Sequence, residues 1–455
     1  MNEKPLAAGN FNRLAKAMMD KDGLSYAEAV GKLKRLQLRI LSGPEIRESA
    51  ALQAALLTAV NTGKRAFLGG VSVLIPGDVE SKLPWPQSKT LSQIVVELGG
   101  RIETTATQSD SSVLVLGTVE TDARNVIRAH CSGWRGGIAP LGMSCELGQG
   151  ADFALGGVLA GALGVAHCFL KISGIHARAG DAAFGFSLWR PDVDWLLPGS
   201  DGPKLLFLPR GLWFLGLGHL GQAYAWSLGL LPYTAANEAC LVLQDYDCVE
   251  EANWTAGLVA EKSCEGEYKT RMCAEWLEAR GMTTRIIEKK FSNLTRCEDG
   301  DPKIALCGFD SAEARSWLGD AGFDMVVECG IGGSVDAFDR ITLHTFNDAE
   351  KGTPRKLWGN AAVSRQAPSD RILEAVADQN DCGILAETLA NKAISSSFVG
   401  AAAGAMVVGE VLRALHCAGR CEYVNGSLRT QKNWTVTMHA KNYSSEAART
   451  GSIVL

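Results

Sequence analysis

The first forty-five residues repeat apolar positions at three- and four-residue spacing. The segment "NRLAKAMMDKDGLSYAEAVGKLKRLQLRIL" carries this pattern throughout, which predicts a largely helical N-terminus over 1–45. A second helix is expected from Glu45 to Asn61. "AFLGGVSVLIP" then reads as a strand, and "SQIVVELGGRI" and "SSVLVLG" continue an α/β alternation. The run "WRPDVDWLLPGSDGPK" (Trp189 to Lys204) breaks the pattern with Pro, Gly and Asp and is the expected linker. Strand–helix alternation restarts after it, through "LLFLPRGLWFLGLG", "CLVLQDYD", "KIALCGFD" and "DMVVECGIGG". Such alternation predicts a parallel sheet with helices on its faces, one in each half of the chain.

The two halves also echo each other. "VLVLGTVETDAR" (Val113 to Arg124) can be laid over "IALCGFDSAEAR" (Ile304 to Arg315), and an Ala/Gly-rich helix follows each. In that overlay Val119 stands where Asp310 stands, so the first copy reads as degenerate. The expected domains are 1–200 and 201–455. The apolar stretches Phe153 to Leu170 and Phe398 to Leu415 are short for membrane spans and carry His167, or Glu410 and Arg413. Their small residues suit buried helices packed closely on a neighbour, and no membrane association is expected.

Composition narrows the field. The net charge of −5 offers no basic field for nucleic acid. The N-terminus lacks the apolar core and cleavage pattern of a signal peptide. Thirteen scattered cysteines without paired zinc spacing suggest free thiols in a cytoplasmic protein. Cys417 and Cys421, beside His416, form only a lone CxxxC.

The chemistry centres on "FLGLGHLGQAY". Gly216, Gly218 and Gly221 follow a strand and open a helix, where glycines let backbone N–H groups approach a phosphate. The next strand ends in Asp245 and Asp247, either of which can accept from ribose hydroxyls. To this point a NAD-dependent oxidoreductase fits equally well.

The residues that follow separate the two readings. "DYDCVEEANWTAG", "EGEYKTRMCAEWL" and "CGFDSAEAR" supply Asp245, Asp247, Val249, Asn253, Lys269, Asp310 and Arg315 in order. This order resembles the ThiF/MoeB and ubiquitin-activating enzyme superfamily, firmly over 210–330 and more loosely to about 418. The resemblance implies two Rossmann-like ThiF-type adenylation domains in tandem, the first inactive. It also implies ATP and Mg²⁺ as cofactors, and adenylation of a ubiquitin-like protein's C-terminal carboxylate. Asp310 would help hold Mg²⁺, Lys269 would neutralise phosphate, Asn253 would donate to phosphate, and Asp245 or Asp247 would hold the ribose.

Two departures stand out. The arginine that usually follows the Asn is missing from "NWTAG", and His219 replaces a small residue in the glycine loop. In two-domain relatives the inactive domain lends an arginine. "KRLQLRILSG" resembles the helix that carries it, making Arg39 the candidate and Arg35 the next. Relatives with a transferring cysteine carry it just before the long last helix, which points to Cys382, expected in a loop. The partners implied are a ubiquitin-like protein and a conjugating enzyme, as in the Bil-type operons of antiphage defence. The two domains of one chain would form the pseudo-dimer. A sulfur-carrier adenylyltransferase of the ThiF/MoeB kind is the alternative, although such proteins are usually shorter and often carry a CxxC zinc pair. Retention of the ATP site as a binding scaffold is a further one.

Overall fold

The structure is a computed structural model. It describes residues 6–443 and 452–455, except 8, 88, 105–110, 124, 144, 146, 149, 235–238, 348–349, 361–366 and 378–381. Two helices, α1 (Arg13–Asp22) and α2 (Tyr26–Arg35), open the chain. Helical structure then stops, and β1 (Leu38–Ser42) is a fully buried strand where sequence spacing pointed to helix. The reason is local: Leu36, Leu38 and Ile40 alternate with polar residues, a period of two hidden at the end of a longer helical pattern.

The first half continues through α3 (Ala50–Ala66), β2 (Val71–Leu74), α4 (Leu91–Glu97), β3 (Arg101–Ile102), β4 (Ser112–Leu116), β5 (Val126–Ser132), β6 (Arg135–Pro140), α5 (Ala154–Ile172) and β7 (Phe184–Ser187). Its sheet has the order β3-β2-β1-β4-β5-β6-β7, parallel as far as β5 and antiparallel beyond. After β8 (Phe207–Pro209), the second half runs β9 (Gly211–Leu215), α6 (His219–Gly229), β10 (Cys240–Gln244), α7 (Glu251–Trp254), α8 (Lys269–Glu278), β11 (Thr283–Ile287), β12 (Ile304–Cys307), α9 (Ala312–Ser316), β13 (Met325–Ile331) and β14 (Arg340–Asn347). It closes with α10 (Thr353–Trp358), α11 (Asp370–Val376), α12 (Cys382–Ala390), α13 (Ser397–Leu415), β15 (Gly419–Ser427) and β16 (Thr430–Asn442). Its sheet order is β11-β10-β9-β12-β13-β14-β15-β16. The last strand, β17 (Ser452–Val454), returns to pair with β8.

The two sheets therefore share one topology strand for strand, with β16 added. The equivalence of β4 and β12 is the one the sequence overlay drew. Strand order reverses beside β9, and the crevice at the carboxyl ends of β9 and β12 is where such sheets take ligands.

Between the sheets lies a layer of four helices: α3 and α5 from the first half, α6 and α13 from the second. A Cβ on Gly161 would sit 3.0 Å from the Ala55 carbonyl carbon, so α5 and α3 touch backbone to backbone. Gly404 brings α13 equally close to Ala223 of α6. The small residues allow this contact, as the sequence suggested, and both long apolar helices are buried inside the protein. The halves are joined across the layer by Phe169 against Phe398, by Trp226 Nε1 donating to Thr58 Oγ1 at 3.0 Å, and by Ser397 Oγ donating to Thr62 O at 2.8 Å. Arg280 of the second half stacks on Trp276 and on Trp85 of the first. One apolar core runs through both halves.

Candidate functional site

Three loops converge at the carboxyl ends of β9, β10 and β12. In the loop after β9, Gly216 has φ +84°, a backbone that favours glycine, and the Phe309 ring lies against it. A Cβ on Gly221 would lie 2.9 Å from the Gly216 carbonyl carbon and closer still to its oxygen. Gly218 differs, because a Cβ there would meet nothing within 4 Å. The first and third glycines thus fold the loop, and the second faces open space at the start of α6, where unpaired N–H groups favour an anion.

The loop after β10 separates the two acids that sequence left open. Asp245 accepts the Leu217 N–H at 2.6 Å with one carboxylate oxygen and the Asp247 N–H at 2.8 Å with the other. It clamps the glycine loop. Asp247 is half exposed and pairs with Lys269 Nζ at 2.9 Å. Lys269 is 7% exposed at the first turn of α8, a cation held in place rather than free in solvent. Tyr246 is exposed between the two acids. Its hydroxyl is pushed above the ordinary value by Asp247 first, then by slight burial and by Asp245 and Asp310, against Lys269. One phenol thus senses three carboxylates and the lysine.

In the loop after β12, Asp310 is exposed. Arg315 folds back so that its Nε donates to Phe309 O at 2.9 Å, and it lies 3.0 Å from the buried Glu328. His344 reaches Glu328 from the other side at 3.0 Å. Arg315 therefore fixes the backbone that presents Asp310. A single exposed carboxylate facing open space suits a hard cation that arrives with phosphate and keeps most of its water, as Mg²⁺ does. Among the described residues, no cluster of three metal-ligating side chains exists.

Asn253 lies in the short helix α7, where its Oδ1 accepts the Glu250 N–H at 2.8 Å. That leaves the amide NH₂ as the end able to donate. His219 is turned away from the open space. Its ring packs on Gly400 at the start of α13, and burial drives its pKa down to about 4.

Arg39 is not where the sequence placed it. It lies on β1, not on a helix, on the sheet face opposite the helical layer. Its neighbours Leu38 and Ile40 join the main core, while Leu41 joins a separate cluster with Val113 and Val115. Its Nε donates to Glu103 at 2.8 Å. Arg35 is exposed at the end of α2. Two arginines that sequence reasoning missed do approach the second half: Arg65, which donates to Ala260 O at 2.9 Å and pairs with Glu261 at 3.1 Å, and Arg13. Ala252 N donates to Gly9 O at 2.6 Å, so the N-terminal arm docks on the α7 segment. Burial lowers the Arg13 pKa against the pull of Glu250, and its Nη1 is buried without a partner. The available signal was Asn12, an N-cap that starts a helix at Arg13.

Cys382 opens α12 rather than sitting in a loop. Its side chain, and residues 378–381 before it, lie outside the described residues. Cys307, Cys329 and Cys273 are buried, and burial raises their thiol pKa values, so they are core residues. Cys240 and Cys248 are exposed. Cys421 is buried in β15, and His416 accepts the Leu206 N–H at 2.9 Å, so each has a packing role.

The tandem α/β fold with its glycine-loop crevice is matched by bacterial E1-like proteins. Residues 37–188 match the family described as the BilD N-terminal domain, and residues 208–418 match the BilD C-terminal domain. The bacterial E1-like protein BilD of Collimonas sp. (strain OK412) is 37% identical over 443 residues, covering 95% of each chain. The chain belongs to this family of bacterial E1-like proteins. Among solved structures, Escherichia coli MccB with MccA is similar at a TM-score of 0.33 and 13% identity, over 52% of this chain and 64% of that one. PaaA is similar at 0.32 and 14%, over 51% and 64%.

Proposed function

We propose that this protein adenylates the C-terminal carboxylate of a ubiquitin-like protein at the second half, then takes the acyl group onto Cys382 for hand-over to a conjugating enzyme. The observation that carries this reading is the convergence of the open Gly218 corner, the Asp247–Lys269 pair and Asp310 on one crevice. A dehydrogenase would use the glycines and one acid. It has no use for a buried lysine paired at the ribose position or for an arginine that braces an exposed aspartate.

A carboxylate oxygen attacks the α-phosphorus, the bond to the bridging oxygen breaks, and pyrophosphate leaves. Two anions must approach each other, so preorganised cations matter most. Lys269 supplies a fixed positive charge. The N–H groups at the start of α6 face the phosphates, Asp247 takes the ribose, and Asn253 donates from its amide. Asp310 would hold Mg²⁺, which screens the developing charge. Arg13 takes the role first assigned to Arg39, since it reaches the α7 segment from the N-terminal arm. In the second step the Cys382 thiolate attacks the acyl carbon and AMP departs, leaving a thioester. The first half serves as an inactive scaffold, and the one chain forms its own pseudo-dimer. Twelve described cysteines are all free, which supports a reducing, cytoplasmic setting. A role in antiphage conjugation fits the Bil-type family.

The test is ATP–pyrophosphate exchange with small β-grasp proteins encoded beside this chain, together with non-reducing gels. Exchange should vanish in Asp310→Ala and persist in Cys382→Ala, and a thiol-sensitive adduct should be absent from both. Exchange without an adduct in the wild type would instead favour a sulfur-carrier adenylyltransferase. No exchange, with NAD bound, would return the reading to an oxidoreductase.

A further inference from the structure

The first sheet repeats the second in register as well as order. Ser42 pairs with Leu116 at the ends of β1 and β4, as Leu215 pairs with Cys307 at the ends of β9 and β12. Counting onward from those ends, Gly43 matches Gly216, Gly117 matches Gly308, Val119 matches Asp310, and Glu45 matches Gly218. The corner that the second half leaves open is thus filled in the first half by a carboxylate side chain.

Glu45 remains exposed and reaches across that corner. One of its oxygens accepts the Thr118 N–H at 3.1 Å, from the loop matching Phe309 and Asp310. The same oxygen lies 2.7 Å from where a Cβ on Gly117 would stand, and a Cβ on Gly43 would collide with it. A side chain at either position would displace this oxygen, and at Gly43 it would also meet the Thr118 backbone. Burial pushes the Glu45 carboxyl upward, but bonds from Thr118, its own backbone and the charge of Arg128 outweigh that and hold it below its ordinary value. Arg128 comes from β5, and its Nε is buried without a partner.

We propose that Glu45 is a built-in anion occupying a vestigial phosphate site, so that the first half excludes nucleotide by occupying its own crevice. The inference rests on, and deepens, the scaffold reading of the first half. A phosphate entering this corner would meet a negative charge already seated on the Thr118 N–H. The whole chain therefore binds one nucleotide, in the second half.

The test is calorimetric titration of the full chain with ATP and with inorganic pyrophosphate. Wild type should bind one ATP, and Lys269→Ala should lose at least tenfold in affinity without uncovering another site. Glu45→Gly should add a second, weaker pyrophosphate site, which Arg128→Ala in the same chain weakens again. If Glu45→Gly does not fold, Glu45→Gln removes the charge alone and should raise pyrophosphate affinity at the first crevice at least fivefold. Two ATP sites in the wild type, or no gained pyrophosphate site in either Glu45 variant, would overturn the proposal. A wild type that binds no nucleotide would sink the reading of the second half instead, and the pyrophosphate arm would still decide this one.

Discussion

Replacing Gly221 by alanine tests the glycine loop directly. The added methyl would lie 2.9 Å from the Gly216 carbonyl carbon and nearer to its oxygen. Both are backbone atoms, so no side chain can swing aside. Relief requires α6 and the loop to part by roughly 1 Å, and overpacking of this kind costs about 1–3 kcal/mol. Unfolding entropy grows with chain length, so each kcal/mol moves Tm by only about 1–2 °C in a chain this long. The expected loss is therefore about 1–6 °C. The functional loss should be larger, since a displacement of about 1 Å at a reacting site costs on the order of a hundredfold. Gly218→Ala is the matched control. Its φ of −70° suits any residue, and the methyl meets open space. Tm should stay within about 1 °C, while ATP affinity drops about tenfold because the methyl takes the room a phosphate needs. Differential scanning fluorimetry and ATP titration of the two variants decide the matter. Wild-type ATP affinity in Gly221→Ala, or equal destabilisation by both substitutions, would refute the reasoning.

Arg13→Ala should reduce pyrophosphate exchange at least tenfold with Tm nearly unchanged, whereas Arg39→Ala should lower Tm and leave exchange per folded molecule intact. Equal effects of the two on exchange would count against the reassignment. Arg280→Met removes the cation between Trp85 and Trp276 and should destabilise the whole chain by about 1–2 kcal/mol, read from urea unfolding. Burial holds His130, His167 and His219 at about 4, below the roughly 6.5 of an unfolded histidine. As pH falls, the unfolded chain takes up these protons first, so their contribution is full above about 6.5 and is lost between there and about 4. Tm should fall over that window, less steeply in His167→Gln, and a flat profile would contradict the assignment. A brief iodoacetamide pulse should label Cys240 and Cys248 and spare Cys168, Cys273 and Cys307, as peptide mass spectrometry would show.

The parallel cores of both sheets were legible in the sequence because strands such as "SVLVL" and "GLWFL" are continuous apolar runs bounded by glycine. Strand β1 was not, because five residues of period two are too few to interrupt a long helical pattern. The order Asp245, Asp247, Asn253, Lys269, Asp310 could be read from motifs, but the division of labour between the two acids could not. It depends on which carboxylate meets the Leu217 N–H, a contact across 28 positions of chain. The setting of Arg39 was hidden for a related reason. An arginine in an apolar segment looks the same in one dimension whether it serves an active site or Glu103. Arg13 lay in plain view, yet only folding brings the arm from Gly9 onto Ala252. Glu45 was invisible as a crevice residue until strand register defined its counterpart.

The four-helix layer between the sheets removes concentration from the equation. Two separate subunits that meet through such a layer come apart on dilution, and a poorly expressed one spends time alone. Here the other half is always at hand, at the effective molarity that covalent linkage confers. The joined core also makes the halves fail together. Heat or denaturant that loosens α5 strips the support from α13 and α6, so unfolding should leave no half with a crevice still formed. Positions of the first half that face α6 and α13 therefore carry a packing constraint that the rest of its surface does not.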